Sequence, residues 1–213
     1  MSQPDPSARE RQHRAWYWYD WANSAYVTTV TTVLFAPYLI SVAETAACGV
    51  AEAPGSRWAG VGGESLCRED LSVLGLTVAP GSLPSYVITF STILSALLLP
   101  LLGAAVDRTK HKKQVLAGFA WAGASAAALV FFATGENWQL GAFAIVAANL
   151  CLGASLVVND SILCLIATEE ERDRVSSRGW AFGYLGGGIL LAINLGMVGF
   201  ADAIGIDQGL AAR

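Results

Sequence analysis

Apolar and polar positions along this chain separate into long blocks. Five stretches dominated by apolar residues run over about 21–43, 83–106, 114–134, 140–167 and 179–204, and most charges are bunched between them. A helix crossing ~30 Å of hydrocarbon needs roughly 20 such residues. Backbone groups in lipid must bond within their own segment, so each stretch is expected to be a transmembrane helix. The strand-length alternation of a membrane barrel is absent. The expected fold class is all-α integral membrane, a five-span bundle over residues 21–204. Residues 1–20 form a polar leading segment, 44–82 the single long loop, and 205–213 a short tail. The leading segment is too polar, and the first apolar run too long, for a cleaved signal peptide.

Composition agrees with this pattern. Hydrophobic residues make up 54% of the chain and charged residues 14%, and the mean hydropathy is +0.48. A domain of this size in water needs more charge to cover its surface, so the lipid bilayer is the principal partner. A net charge of -4 gives no reason to expect nucleic acid.

Basic residues set the expected orientation. Arg9, Arg11 and Arg14 precede the first span, Arg108, Lys110, Lys112 and Lys113 follow the second, and Arg172, Arg174 and Arg178 follow the fourth. Only Arg57, Arg68 and Arg213 fall on the other side, which places the N-terminus in the cytoplasm by the positive-inside rule. Cys48 and Cys67 then lie in the outer loop, where the compartment permits a disulfide without requiring one. Cys151 and Cys164 read as small buried hydrophobes within span four. His13 and His111 stand alone, so no metal or other cofactor is expected.

Four local patterns carry candidate chemistry. In span one, Asp20, Ser24, Thr28 and Thr31 share a helical face with Asn23 beside it, and such a stripe must face protein or water. The aromatics from Trp16 to Trp21 would by themselves form an interfacial belt. In span four, Asn149 and Asp160 lie three turns apart on one side, with Asn159 adjoining. Asp160 is the acid placed well inside a span; it reads either as a pathway residue or as a local ion pair with Arg108, His111 or Arg172. Between spans two and three, Gly103, Asp107 and Arg108 form a Gly-x-x-x-Asp-Arg step. A plain basic loop would explain the lysines there but not that step. In span five, Gly179, Gly183 and Gly187 repeat every fourth residue and make a face for close helix approach.

The Gly103–Arg108 step resembles the loop signature of the major facilitator superfamily, departing from it at Lys110-His111. The run Tyr19-Asp20-Trp21-Ala22-Asn23-Ser24-Ala25 is similar to the opening of that superfamily's vacuole-effluxer-like branch, which includes autophagy-related vacuolar amino-acid exporters and bacterial relatives. The run from Ser177 to Gly188 resembles a second signature of the same branch. Asn159 matches an Asn of the branch, although the Leu-Pro step that usually follows is missing. The resemblance implies a secondary transporter of two six-helix halves, with spans one and four lining a central cavity and a bacterial cytoplasmic membrane as its location. It implies a small-molecule solute, with amino acids the family-level class and protons a candidate coupling ion.

On this reading Asp20, Asn23, Ser24, Thr28, Asn149, Asn159 and Asp160 belong to the substrate or proton pathway. Gly103, Asp107 and Arg108 form a conformational switch. The chain is expected to be a truncated N-terminal part lacking its C-terminal half. No enzyme motif is present: there is no HExxH, no Gly-x-Ser-x-Gly and no carboxylate dyad. The competing expectation is a small five-span scaffold or accessory protein.

Overall fold

The computed structural model describes residues 6–49, 58–61, 64–73 and 75–200. The basic positions Arg57 and Arg213, the end of the fifth expected span and the tail 205–213 lie outside the described residues. Helix α1 (Pro6–Tyr26) passes through a π-helical segment (Val27–Leu34) into α2 (Phe35–Cys48), and the three form one continuous rod. The remaining helices are α3 (Leu83–Arg108), α4 (Lys112–Leu129), α5 (Trp138–Ile166) and α6 (Glu169–Gly199). Five helices are long and apolar enough to cross a membrane, beginning at Ser7, Pro80, Lys112, Trp138 and Glu169. The first and last start well before the expected 21 and 179, because polar residues continue each helix ahead of its apolar stretch.

The π segment has a local cause. Its sequence is Val-Thr-Thr-Val-Thr-Thr-Val-Leu, and β-branched side chains crowd the preceding turn of an α-helix. Pro37 follows shortly after; it offers no amide hydrogen, and its ring excludes the carbonyl four residues back. Wider turns relieve both constraints, and the Thr32 hydroxyl donates to the Val27 carbonyl five residues earlier at 2.8 Å. The helix α6 begins on a reciprocal capping box between Thr168 and Glu171. Three glutamates in its first turn face the positive end of the helix dipole.

Among the described residues, two antiparallel strand pairs occupy the long loop. One pairs β1 (Trp58–Val61) with β2 (Glu64–Cys67), and Trp58 stands opposite Cys67. The other pairs β3 (Leu71–Val73) with β4 (Leu76–Val78), turning through Gly75 at φ +84°. A disulfide joins Cys48 at the end of α2 to Cys67 at the end of β2. Leu71 is buried with Leu39, Ala43 and Ala47 of α2, Leu83 and Val87 of α3 and Ile145 of α5, so β3 closes one end of the bundle core.

The helices pack in two groups joined through α5. Both α3 and α4 lie against α5, while α1 lies against α6. Small residues permit the close approaches, as expected where lipid gives no hydrophobic drive for helix association. A Cβ on Gly123 would stand 3.1 Å from the Cys151 Cβ, and one on Gly153 would stand 3.0 Å from Leu99 Cδ1. Tyr86, Phe90, Ile93, Leu97 and Leu101 of α3 are exposed at spacings of three or four residues. That apolar outer face suits a hydrocarbon solvent and would be untenable in water.

Candidate functional site

One face of α1 runs along the bundle from its polar end inward. Arg9 Nη1 pairs with Glu171 Oε2 at 3.4 Å. One turn on, the His13 Nε2 lies 3.0 Å from the Ile166 carbonyl oxygen. After a further turn, Trp16 Nε1–H donates to the Asn159 carbonyl at 3.3 Å. The spacing of these residues, four and then three, keeps them on one side of an α-helix. The same side then presents Asp20, Ser24 and Thr28.

Those three residues meet the glycine face of α6. A Cβ on Gly183 would lie 2.5 Å from Ser24 Oγ and 2.9 Å from Asp20 Oδ2. One on Gly187 would lie 2.5 Å from Thr28 Oγ1 and 3.0 Å from the Ser24 carbonyl oxygen. Gly179 receives the Trp16 ring with no room for a side chain. The glycine repeat of span five and the polar stripe of span one are therefore two sides of one contact. Trp16 is buried in it, and so does not serve as an interfacial anchor. Trp18 and Trp21 instead pack on Phe182, with ring centroids 5.2 and 4.5 Å from it.

Beside this contact opens a cavity of about 610 Å³ between α1, α5 and α6. Asp20, Asn23, Ser24 and Thr28 line it from the first span and Asp160 from α5. Ser176, Trp180 and Tyr184 line it from α6; these contributions were not anticipated, although Trp180 and Tyr184 sit one turn apart next to the glycine repeat. Asp160 is exposed to the cavity, and among the described residues no ion pair reaches it from Arg108, His111 or Arg172. The Arg172 guanidinium turns to the Cys164 carbonyl at 3.4 Å. Cys164 is itself exposed and lines the cavity, so it is not the small buried hydrophobe expected. Cys151 is half-buried.

Three expected pathway residues or neighbours lie elsewhere. Asn149 accepts a hydrogen bond from Tyr26 at 3.3 Å and does not line this cavity. Asn149 and Asp160 share a side of α5, but eleven residues separate them by about 16 Å along the axis, so they meet different neighbours. Asn159 is buried against α1. The Thr31 hydroxyl is buried, and Thr31 does not line this cavity, because the wider turns beyond Val27 change the helical phase.

A second cavity, of about 370 Å³, lies between α1, α4 and α5. Tyr19, Asn23 and Tyr26 face it across small residues of α4, among them Gly123 and Ala124. Tyr19 Oη and Asn23 Nδ2 are buried, and among the described residues no hydrogen-bond partner reaches them.

The Gly103–Arg108 step sits at the end of α3. A Cβ on Gly103 would make an ordinary 3.6 Å contact with Val157 of α5. Asp107 is exposed, and its carboxylate lies 3.8 Å from the ammonium of Lys112, the first residue of α4. The ion pair spans the tight turn between the two helices. Among the described residues no side chain caps the α4 N-terminus. Among the described residues no group of three or more His, Cys, Asp or Glu side chains is arranged to hold a metal ion.

Comparison with known proteins adds a family. The family model described as "Vacuole effluxer Atg22 like" matches residues 8–172. An uncharacterized MFS-type transporter, YxiO of Bacillus subtilis (strain 168), is 29% identical over 202 residues, which is 95% of this chain and 41% of the relative. Autophagy-related protein 22 of Pyricularia oryzae is 32% identical over 100 residues, 47% of this chain and 15% of the relative. The protein of the same name from Gibberella zeae is 34% identical over 94 residues, 44% of this chain and 14% of the relative. The chain thus spans less than half the length of these relatives. No solved structure matches it significantly.

Proposed function

This chain belongs to the vacuole effluxer Atg22-like family of the major facilitator superfamily, and from that premise we propose that it is the N-terminal part of a secondary active transporter working by alternating access. It is a multi-pass membrane protein of a transporter family. The finer reading concerns where solute passes. The observation that carries it is the cavity in which Asp20, Asn23, Ser24 and Thr28 of the first span meet Asp160 of the fourth. Polar groups in a span are costly unless they serve a path or a partner, and here they converge on one space.

In this reading the N-terminus is cytoplasmic, the membrane is the bacterial cytoplasmic membrane, and the solute is small, with amino acids the first class to examine. Asp160 is the proton-coupling candidate, being a carboxylate in a span with no ion-pair partner among the described residues. Gly103, Asp107 and Arg108 govern the balance between conformations. The rest of the transporter supplies the opposite wall of the path, as expected for a fold that rocks around a central site. The test is an uptake and efflux screen of the full-length protein in sealed vesicles. Solute movement driven by an imposed pH gradient supports the proposal. A full-length protein that moves no solute in either direction under any gradient favours a scaffold.

A further inference from the structure

We propose that the cavity between α1, α5 and α6 selects an organic cation, an ammonium carried on an apolar or aromatic body. This rests on the reading of that cavity as the solute path and names the class of solute it takes.

The first reason is charge. Two carboxylates, Asp20 and Asp160, enter the cavity from different helices, and no Lys, Arg or His among the described residues lines it. Neither acid has an ion-pair partner among the described residues. A neutral solute would leave both carboxylates without a counter-charge, and an anion would add repulsion. An ammonium offers three donors and the opposite charge.

The second reason is the wall opposite. Trp180 and Tyr184 of α6 are exposed, with ring centroids 6.0 Å apart, and both line the cavity. Aromatic faces beside carboxylates attract a cation through the ring quadrupole and shelter an apolar body. A bare metal ion fits poorly, since about 610 Å³ far exceeds its size and no metal-holding group of side chains occurs among the described residues.

The test uses three probes built on one benzyl body, at about pH 6 so that the amine is charged: phenylalaninamide, which is cationic, N-acetylphenylalaninamide, which is neutral, and N-acetylphenylalanine, which is anionic. Binding to the full-length protein in lipid nanodiscs is measured by tryptophan fluorescence and calorimetry. The cation is expected to bind about tenfold or more tightly than the neutral probe, the scale of one charge-assisted hydrogen bond. Asp20→Asn and Asp160→Asn, each checked for an unchanged melting temperature, should erase that preference. Trp180→Leu should weaken the cation about threefold while leaving the anion unchanged, in line with a single cation–π contact. Equal or tighter binding of the neutral or anionic probe overturns the proposal, as does binding of none of the three. A Leu156→Cys variant separates the two levels of failure. If another solute that the protein transports protects this cysteine from labelling, the cation assignment alone fails. If no transported solute protects it, the path reading fails with it.

Discussion

Gly183 of α6 and Ser24 of α1 approach so closely that a Cβ on the glycine would stand 2.5 Å from the serine hydroxyl oxygen. The polar stripe of the first span is thus held against backbone on one flank and opens to the cavity on the other. Such a contact keeps Asp20 and Ser24 at fixed positions on the cavity wall. It also ties movement of α6 to movement of α1.

Substitutions in this contact should be costly in a graded way. Gly187→Ala drives a methyl group towards Thr28 and the backbone carbonyl of Ser24, which cannot rotate away. It is expected to destabilise the protein by about 1–3 kcal/mol, the usual range for overpacking. Gly183→Ala meets mainly side-chain oxygens, so adding Ser24→Ala should recover part of the loss. Thermal unfolding in detergent micelles measures both. Equal stability of wild type and Gly187→Ala would mean that α1 and α6 do not pack this way.

Asp107 does not line the cavity, and its carboxylate is exposed where it meets Lys112. Pairs of that kind contribute little to stability. In the full-length protein Asp107→Asn should therefore leave the melting temperature and solute affinity nearly unchanged while lowering turnover. Parallel binding and transport assays read the two quantities separately. A large loss of affinity with normal turnover would remove the switch role.

The disulfide between Cys48 and Cys67 closes a loop with a sequence separation of 19. A closure of that length contributes about 3 kcal/mol in the chain-entropy account, so reduction should lower the melting temperature. In intact cells, an impermeant maleimide should label these cysteines only after an impermeant reductant has been added. A cysteine introduced as Lys110→Cys should stay unlabelled throughout. The reverse pattern would invert the proposed orientation.

Asp160 is the place to look for proton coupling. With the full-length protein in proteoliposomes at saturating solute, Asp160→Asn should abolish movement driven by a pH gradient. Exchange at equal pH should persist. If the variant still concentrates solute against a gradient, coupling lies elsewhere.

The spans were legible because most charges in this chain are expelled from the apolar stretches, and the helix count needs nothing more. The hairpins were not, since strands of three or four residues in a long loop carry too little periodicity to read. The π segment was likewise hidden: Val27 to Leu34 is apolar enough to fit any helix, and its wider turns arise from β-branched crowding near Pro37. At the site, Asp20, Ser24, Thr28 and Asp160 could be picked out individually as polar residues in apolar runs. Their convergence depends on which helices touch, and one sequence does not state that. Trp16 shows the same limit. Beside other aromatics it reads as an interfacial anchor, and only Gly179 on a distant span reveals it as a buried knob. Asn149 was grouped with Asp160 by helical phase, but phase says nothing of depth along the axis.

The central claim is that solute passes through the cavity between α1, α5 and α6, and site-directed labelling tests it most directly. Cysteines introduced as Leu156→Cys and Ser176→Cys line that cavity, whereas Ala124→Cys lines the smaller one beside α4. Labelling rates would be measured in the full-length, transport-competent protein, with and without saturating transported solute. The account predicts that solute slows labelling of the first two severalfold and leaves the third unchanged. Protection of Ala124→Cys with no effect at Leu156→Cys or Ser176→Cys would contradict it.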